Sequence, residues 1–194
     1  MRVLVLFAHP VETSFGAALH REVLATLRAR GHEVDDCDLN AEGFDPVMSR
    51  QDRLDYHDVM VNRTRVASYT DRLLAAEALV FVHPIWNYGY PAILKGFVDK
   101  VFLPGVSFKL APDGGYTPTL RNIRRLAAVC TYGGDRFRTI LMGDPPRRVF
   151  NRSLRSLVGT SAKLRYLAHY DMNRTTPERR ARFIDKVKRY FETW

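Results

Sequence analysis

The chain has 194 residues, 46% hydrophobic and 26% charged, and its 30 Lys and Arg against 21 Asp and Glu give a formal net charge of +9. That length suits a single domain over residues 1–194 with ample material for a core, and no run of about 18 apolar residues exists, which excludes a helical membrane span. Two cysteines, Cys37 and Cys130, give neither a disulfide framework nor metal spacing, so no metal site is expected; a strand beginning at Arg2 leaves no room for a leader peptide, and the expected compartment is the cytoplasm.

Arg2–Ala8 is a continuous apolar run of the kind found in the middle of a parallel sheet. It is followed by His9-Pro10-Val11-Glu12-Thr13-Ser14-Phe15-Gly16 and then by a helical pattern marked by Ala18, Val23, Leu24 and Leu27, with Ser14 or Thr13 as its cap. A strand, a short polar turn and a helix N-terminus make an anion site, because the free N–H groups and the positive end of the helix dipole point the same way. His9 and the hydroxyls of Thr13 and Ser14 add donors. Neither G-x-G-x-x-G nor G-x-x-x-x-G-K is present, so this is not a Gly-rich phosphate loop. Gly31 closes the helix. Residues 33–39 read as the second strand, 40–63 as a polar connection with a short helix near 49–56, and 64–77 as the next helix.

The third strand is 78–83. It breaks into Pro84-Ile85-Trp86-Asn87-Tyr88-Gly89-Tyr90, and a helix resumes over 91–103 with Pro91 in its first turn. Trp86, Tyr88 and Tyr90 are rigid ring surfaces with polar handles, and the N–H groups around Asn87 and Gly89 are uncommitted. Such a loop at the carboxyl end of a strand holds the flat face of a heteroaromatic ring and bonds its edge; an isoalloxazine fits. Gly89 is expected at positive φ, close to that ring. Residues 104–122 hold three prolines and three glycines and are expected to be irregular, a lid or dimer element. The fourth strand, 125–131, runs into Thr131-Tyr132-Gly133-Gly134, where two glycines allow positive φ and close backbone approach. A helix over 146–158, a fifth strand over 164–170 and a helix from Thr176 to Trp194 complete the chain. This alternation predicts an α/β fold: a five-stranded parallel sheet in order 2-1-3-4-5 with helices on both faces. That order sets the loops after strands one, three and four side by side.

Five groups of residues carry a family resemblance. They are Ala8-His9-Pro10 with Thr13-Ser14-Phe15; Asp38-Leu39 with Phe44-Asp45-Pro46 and Ser49-Arg50-Gln51-Asp52; His83-Pro84-Ile85-Trp86; Pro91-Ala92-Ile93-Leu94-Lys95-Gly96 with Lys100-Val101-Phe102; and Thr131-Tyr132-Gly133-Gly134. In this order they resemble the NAD(P)H quinone reductase family of the flavodoxin-like fold, which includes DT-diaphorase, bacterial modulators of drug activity and ancillary reductases of potassium efflux. The resemblance implies a flavin, FAD in preference to FMN, with NAD(P)H as co-substrate and a quinone-like acceptor reduced by two electrons in ping-pong fashion. It implies a homodimer with the flavin site at the interface. By the same resemblance Pro84, Ile85, Trp86, Asn87, Tyr88, Thr131, Tyr132, Gly133 and Gly134 flank the isoalloxazine. Tyr132, Gly133 and Gly134 form the catalytic edge, and His9, Thr13, Ser14, Phe15 and Gly16 hold the ribityl-phosphate.

Two departures bear on these expectations. Gly16 stands where the FAD-binding branch has a polar residue. Counting from Thr131 without gaps, Thr139 and Pro145 replace the tyrosine and histidine that follow the corresponding loop in DT-diaphorase, so flavin binding carries over better than quinone specificity. The arginine-rich stretch after residue 120 suits anionic cofactors, and no nucleic-acid motif accompanies it, so no nucleic-acid partner is expected. A regulatory subunit on a membrane potassium-efflux protein is the alternative role. A flavodoxin-like electron carrier fits less well, because such carriers are strongly acidic and this chain is basic.

Overall fold

The computed structural model describes residues 1–159 and 161–194. In chain order its elements are β1 (Arg2–Phe7), α1 (Phe15–Ala29), β2 (Glu33–Asp38), α2 (Arg50–Asp55), α3 (Ala67–Ala75), β3 (Ala78–Ile85), α4 (Ala92–Val101), β4 (Phe108–Leu110), β5 (Tyr116–Pro118), β6 (Arg125–Tyr132), α5 (Arg136–Leu141) and α6 (Pro145–Arg148). A π-helical segment (Val149–Leu154) joins α6 to α7 (Arg155–Val158), and β7 (Lys163–His169) and α8 (Pro177–Phe191) follow.

The main sheet has the order β2-β1-β3-β6-β7, every neighbouring pair parallel. This is the expected 2-1-3-4-5 order. Side chains alternate across the sheet and supply two cores. Val3, Val5, Val80, Val82 and Val129 pack under α1 and α8 through Leu19, Val23, Phe183 and Val187. On the other face Leu4, Leu6, Leu79, Phe81 and Leu126 meet Leu73 of α3, Leu94 and Phe97 of α4, and Phe150 and Leu154 of the π segment. The central strands are buried on both faces, which is why they read as unbroken apolar runs.

Three features differ from expectation. Residues 104–122 are not wholly irregular: β4 and β5 pair antiparallel, Phe108 opposite Pro118, around the turn at Pro112 to Gly115. α5 was not expected, because its six residues are too few for a periodicity to register. β3 continues to Ile85 and β6 to Tyr132, so Pro84, Ile85 and Tyr132 are strand residues rather than loop residues.

Candidate active site

The loop after β1 leads to the N-terminus of α1. Ser14 caps it, its Oγ accepting from Ala17 N at 3.1 Å. Among the described residues the N–H groups of Phe15 and Gly16 have no partner, as expected of a first helical turn. His9 Nδ1 accepts from Val11 N at 3.0 Å, and partial burial pushes the ring's pKa down. The neutral ring therefore carries its proton on Nε2, available to an anion. Thr13 is exposed. A Cβ on Gly16 would meet the His9 ring at an ordinary 3.5 Å, so glycine is not sterically required there.

The loop after β3 is a tight turn. Trp86 and Gly89 exchange backbone hydrogen bonds of 3.2 and 2.9 Å, and the central residues Asn87 and Tyr88 have φ of 49° and 56°. Positive φ at both positions is the mark of a type I′ turn. The left-handed residues are thus Asn87 and Tyr88, and the expectation for Gly89 is corrected: its φ is not positive, and a Cβ there would touch only Trp86 O at 3.6 Å. The N–H groups of Asn87 and Tyr88 are unpartnered among the described residues. Trp86 is exposed, and its ring meets that of His9 at 5.8 Å, which joins the first two loops. His83, by contrast, is 1% exposed. Its Nδ1–H donates to Pro84 O at 2.9 Å, it packs edge-on against Tyr90, and burial lowers its pKa to about 4. It supports the loop from below.

The third loop closes on the second. Gly134 faces Tyr88, whose hydroxyl would be 3.8 Å from an added Cβ. Gly134 O accepts from Asp171 N at 2.8 Å and Gly133 O from Asn173 N at 3.5 Å. Their own N–H groups are unpartnered among the described residues. Neither glycine has positive φ, and a Cβ on Gly133 would meet only Asn173 at an ordinary 3.5 Å, so the expected left-handed conformation is absent and neither position sterically requires glycine within the chain itself. Thr131 is buried at the strand end.

Tyr132 is where geometry departs most from expectation. It is buried, its hydroxyl donates to Asp144 Oδ1 at 2.7 Å and lies 2.6 Å from Tyr166 Oη, and its ring stacks on Tyr170. Burial pushes its pKa far up. The hydroxyl is spent beneath the loop and is not presented at a ligand edge. A fourth loop, after β7, joins the site without any motif to announce it: His169 packs on Phe15 at 5.5 Å and bonds Thr175 Oγ1 at 2.9 Å.

Residues 1–191 match the family described as flavodoxin-like fold. The chain belongs to this family. It is 31% identical over 143 residues to an NAD(P)H oxidoreductase of Escherichia coli K12, covering 73% of this chain and 69% of that one. It is 30% identical over 149 residues to NAD(P)H dehydrogenase [quinone] 1 of Rattus norvegicus, covering 68% of this chain but 54% of the rat protein. Among solved structures, Smu.1420 of Streptococcus mutans superposes with a TM-score of 0.86 over the whole of both chains at 25% identity. The flavodoxin-like chain thus resembles NAD(P)H oxidoreductases over 68–73% of its length.

Proposed function

We propose that the strand-end loops bind a flavin nucleotide and that the chain passes two electrons from NAD(P)H to a quinone-class acceptor through it. The observation that carries this reading is the ring of unpartnered N–H groups at Asn87, Tyr88, Gly133 and Gly134 beside the exposed Trp86. A flat heteroaromatic with acceptor atoms on its edge matches both the surface and the donors. Bound flavin supplies the two-electron carrier; the protein supplies position and electrostatics. Trp86 and Tyr88 wall one side. The N–H groups of Gly133 and Gly134 stabilise negative charge on the ring edge, the role that Tyr132 is too deeply buried to fill. His9 Nε2–H, the N–H groups of Phe15 and Gly16 and the positive end of α1 hold a phosphate.

FAD is favoured over FMN on the room of a cavity of about 350 Å³ that starts at His9 of that anchor and runs on past Glu12, His20, Arg21, Asp38 and Asn40. It offers room beyond the first phosphate that FMN would not use. The reading includes a two-fold dimer in which the hairpin β4–β5, with Leu110 and Tyr116 exposed, covers the open side of the partner's site. The purified protein is expected to be yellow, or to turn yellow with added flavin, and chromatography of the released flavin distinguishes FAD from FMN. Steady-state plots with NADH or NADPH against a quinone panel should give parallel lines. A colourless protein into which neither flavin titrates ends this reading.

A further inference from the structure

Helix α5 is amphipathic in the inverted sense. It buries Thr139, 1% exposed, and turns Phe137, Ile140 and Leu141 outward at 77%, 60% and 75%. These three stand at i, i+3 and i+4 and form one stripe, which the exposed Met142 extends. Thr139 tolerates the inward position because its Oγ1 donates to Asp135 O at 2.9 Å. Apolar residues scattered singly over a surface are ordinary; a contiguous stripe marks something that covers it.

The surrounding charge identifies the cover. Residues 135–155 contain six arginines, two aspartates and neither Lys nor Glu, an excess of four positive charges. Arg136, Arg138, Arg148, Arg152 and Arg155 are exposed. Both aspartates are committed: Asp135 caps α5 and pairs with Arg138, and Asp144 takes the Tyr132 hydroxyl and pairs with Arg147. A second copy seated here with the two-fold axis through the stripe would set arginines against arginines. An anionic bilayer offers what the surface asks for: phosphates at headgroup level for the guanidinium groups and an apolar boundary just beneath for the stripe.

We infer that α5 and the start of the following helix dock on the surface of an anionic lipid bilayer. Phe137, Ile140, Leu141 and Met142 enter the headgroup–acyl boundary, and the arginines lie on the lipid phosphates. The contact is peripheral; no helix among the described residues is long and apolar enough to cross a membrane. Gly133 and Gly134 lead directly into α5, so docking brings the strand-end loops to the bilayer surface. Resting on the quinone reading above, this names the acceptor class as lipid-soluble quinones held in the bilayer.

The test is co-sedimentation of the full, flavin-loaded chain with vesicles of equimolar phosphatidylglycerol and phosphatidylcholine, and with vesicles of phosphatidylcholine alone. Binding is expected only to the anionic vesicles, and about 0.5 M salt should weaken it at least tenfold. The double variants Phe137→Ser/Leu141→Ser and Arg136→Glu/Arg138→Glu should each lose roughly tenfold or more in partitioning, with circular dichroism and thermal midpoint unchanged. Wild type that fails to bind, or variants that bind as well as wild type, overturn the inference. So does a dimer that the Phe137→Ser/Leu141→Ser change converts to monomer without any vesicle binding, which would make the stripe a subunit interface. A second arm compares a long-chain quinone in the vesicles with a water-soluble one. Vesicle binding without reduction of either quinone leaves the docking surface standing and removes the quinone reading; faster reduction of the soluble quinone by vesicle-bound protein removes the assigned acceptor class.

Discussion

Gly96 of α4 rests directly on Pro46: a Cβ at position 96 would lie 2.5 Å from Pro46 Cα and closer still to its carbonyl oxygen. One turn on, the buried Lys100 Nζ donates to Asp45 O and Val47 O, both at 2.9 Å. Phe44 meanwhile packs on Phe97 at 5.3 Å between ring centres. A missing side chain and a buried cation together clamp the 44–47 loop to α4.

Gly96→Ala is therefore expected to destabilise the chain by roughly 3 kcal/mol or more, because the obstacle is backbone and cannot swing aside. Lys100→Met should cost roughly 2–4 kcal/mol by orphaning two carbonyls. Urea unfolding measures both. A Gly96→Ala variant within ~0.5 kcal/mol of wild type, the range of an indifferent surface change, would show that the loop is free to lift away.

The same contact explains what was legible in the sequence. Phe44-Asp45-Pro46 and Lys95-Gly96 with Lys100 carried the family resemblance as separate segments, yet they are one packing contact. The strands were legible because burial on both faces makes them apolar throughout, and the cap at Ser14 because its hydroxyl precedes a helical period. The sequence reads Tyr132 as a loop residue because it follows the predicted strand 125–131 inside a loop-like motif, whereas it is the last residue of β6. Nothing local reports that its hydroxyl meets Asp144 and Tyr166, twelve and thirty-four residues away. The sequence points to Gly89 for positive φ because glycine is its usual bearer, whereas Asn87 and Tyr88 bear it. The loop after β7 reaches the site through backbone bonds to Gly133 and Gly134, which leave no pattern in residue type.

Tyr132→Phe separates support from chemistry. The change removes the hydroxyl shared by Asp144 and Tyr166 and should lower stability by roughly 1–3 kcal/mol. Flavin affinity and single-turnover flavin reduction by NAD(P)H should stay within about twofold, since loss of a donor that acted at the ring edge would cost on the order of 100-fold. A large slowing at unchanged stability would return the hydroxyl to the reacting edge.

Tyr88 holds φ of 56° without being glycine, a conformation that costs a bulky residue about 1–2 kcal/mol. Tyr88→Gly creates the Asn-Gly pair that type I′ turns prefer and should raise the unfolding free energy by about 1 kcal/mol. Under the flavin reading it also removes a wall of the site, so titration should show flavin affinity reduced about tenfold, the effect of roughly 1.4 kcal/mol of lost contact. A variant that gains stability and keeps full affinity would mean that the strained ring serves something other than this ligand.

His83 makes stability depend on pH in a definite direction. Burial depresses its pKa in the folded chain to about 4, against an ordinary 6.5. Between those values the unfolded chain binds the extra proton, so stability is full above about pH 6.5 and falls as pH drops toward 4. At about pH 5 the loss from this one ring is roughly 2 kcal/mol. His9, His32 and His169 are also depressed by burial and act in the same sense, so the measurement is a difference. Unfolding free energies of wild type and His83→Leu at about pH 7.5 and pH 5 should show the flatter profile for the variant, whatever its absolute stability. Its Nε2 has no partner among the described residues, so no compensating acceptor waits for the added proton. Parallel profiles for the two proteins would mean that the ring takes up its proton in the folded state as easily as in the unfolded one, and that the floor beneath the Trp86 turn is open to water.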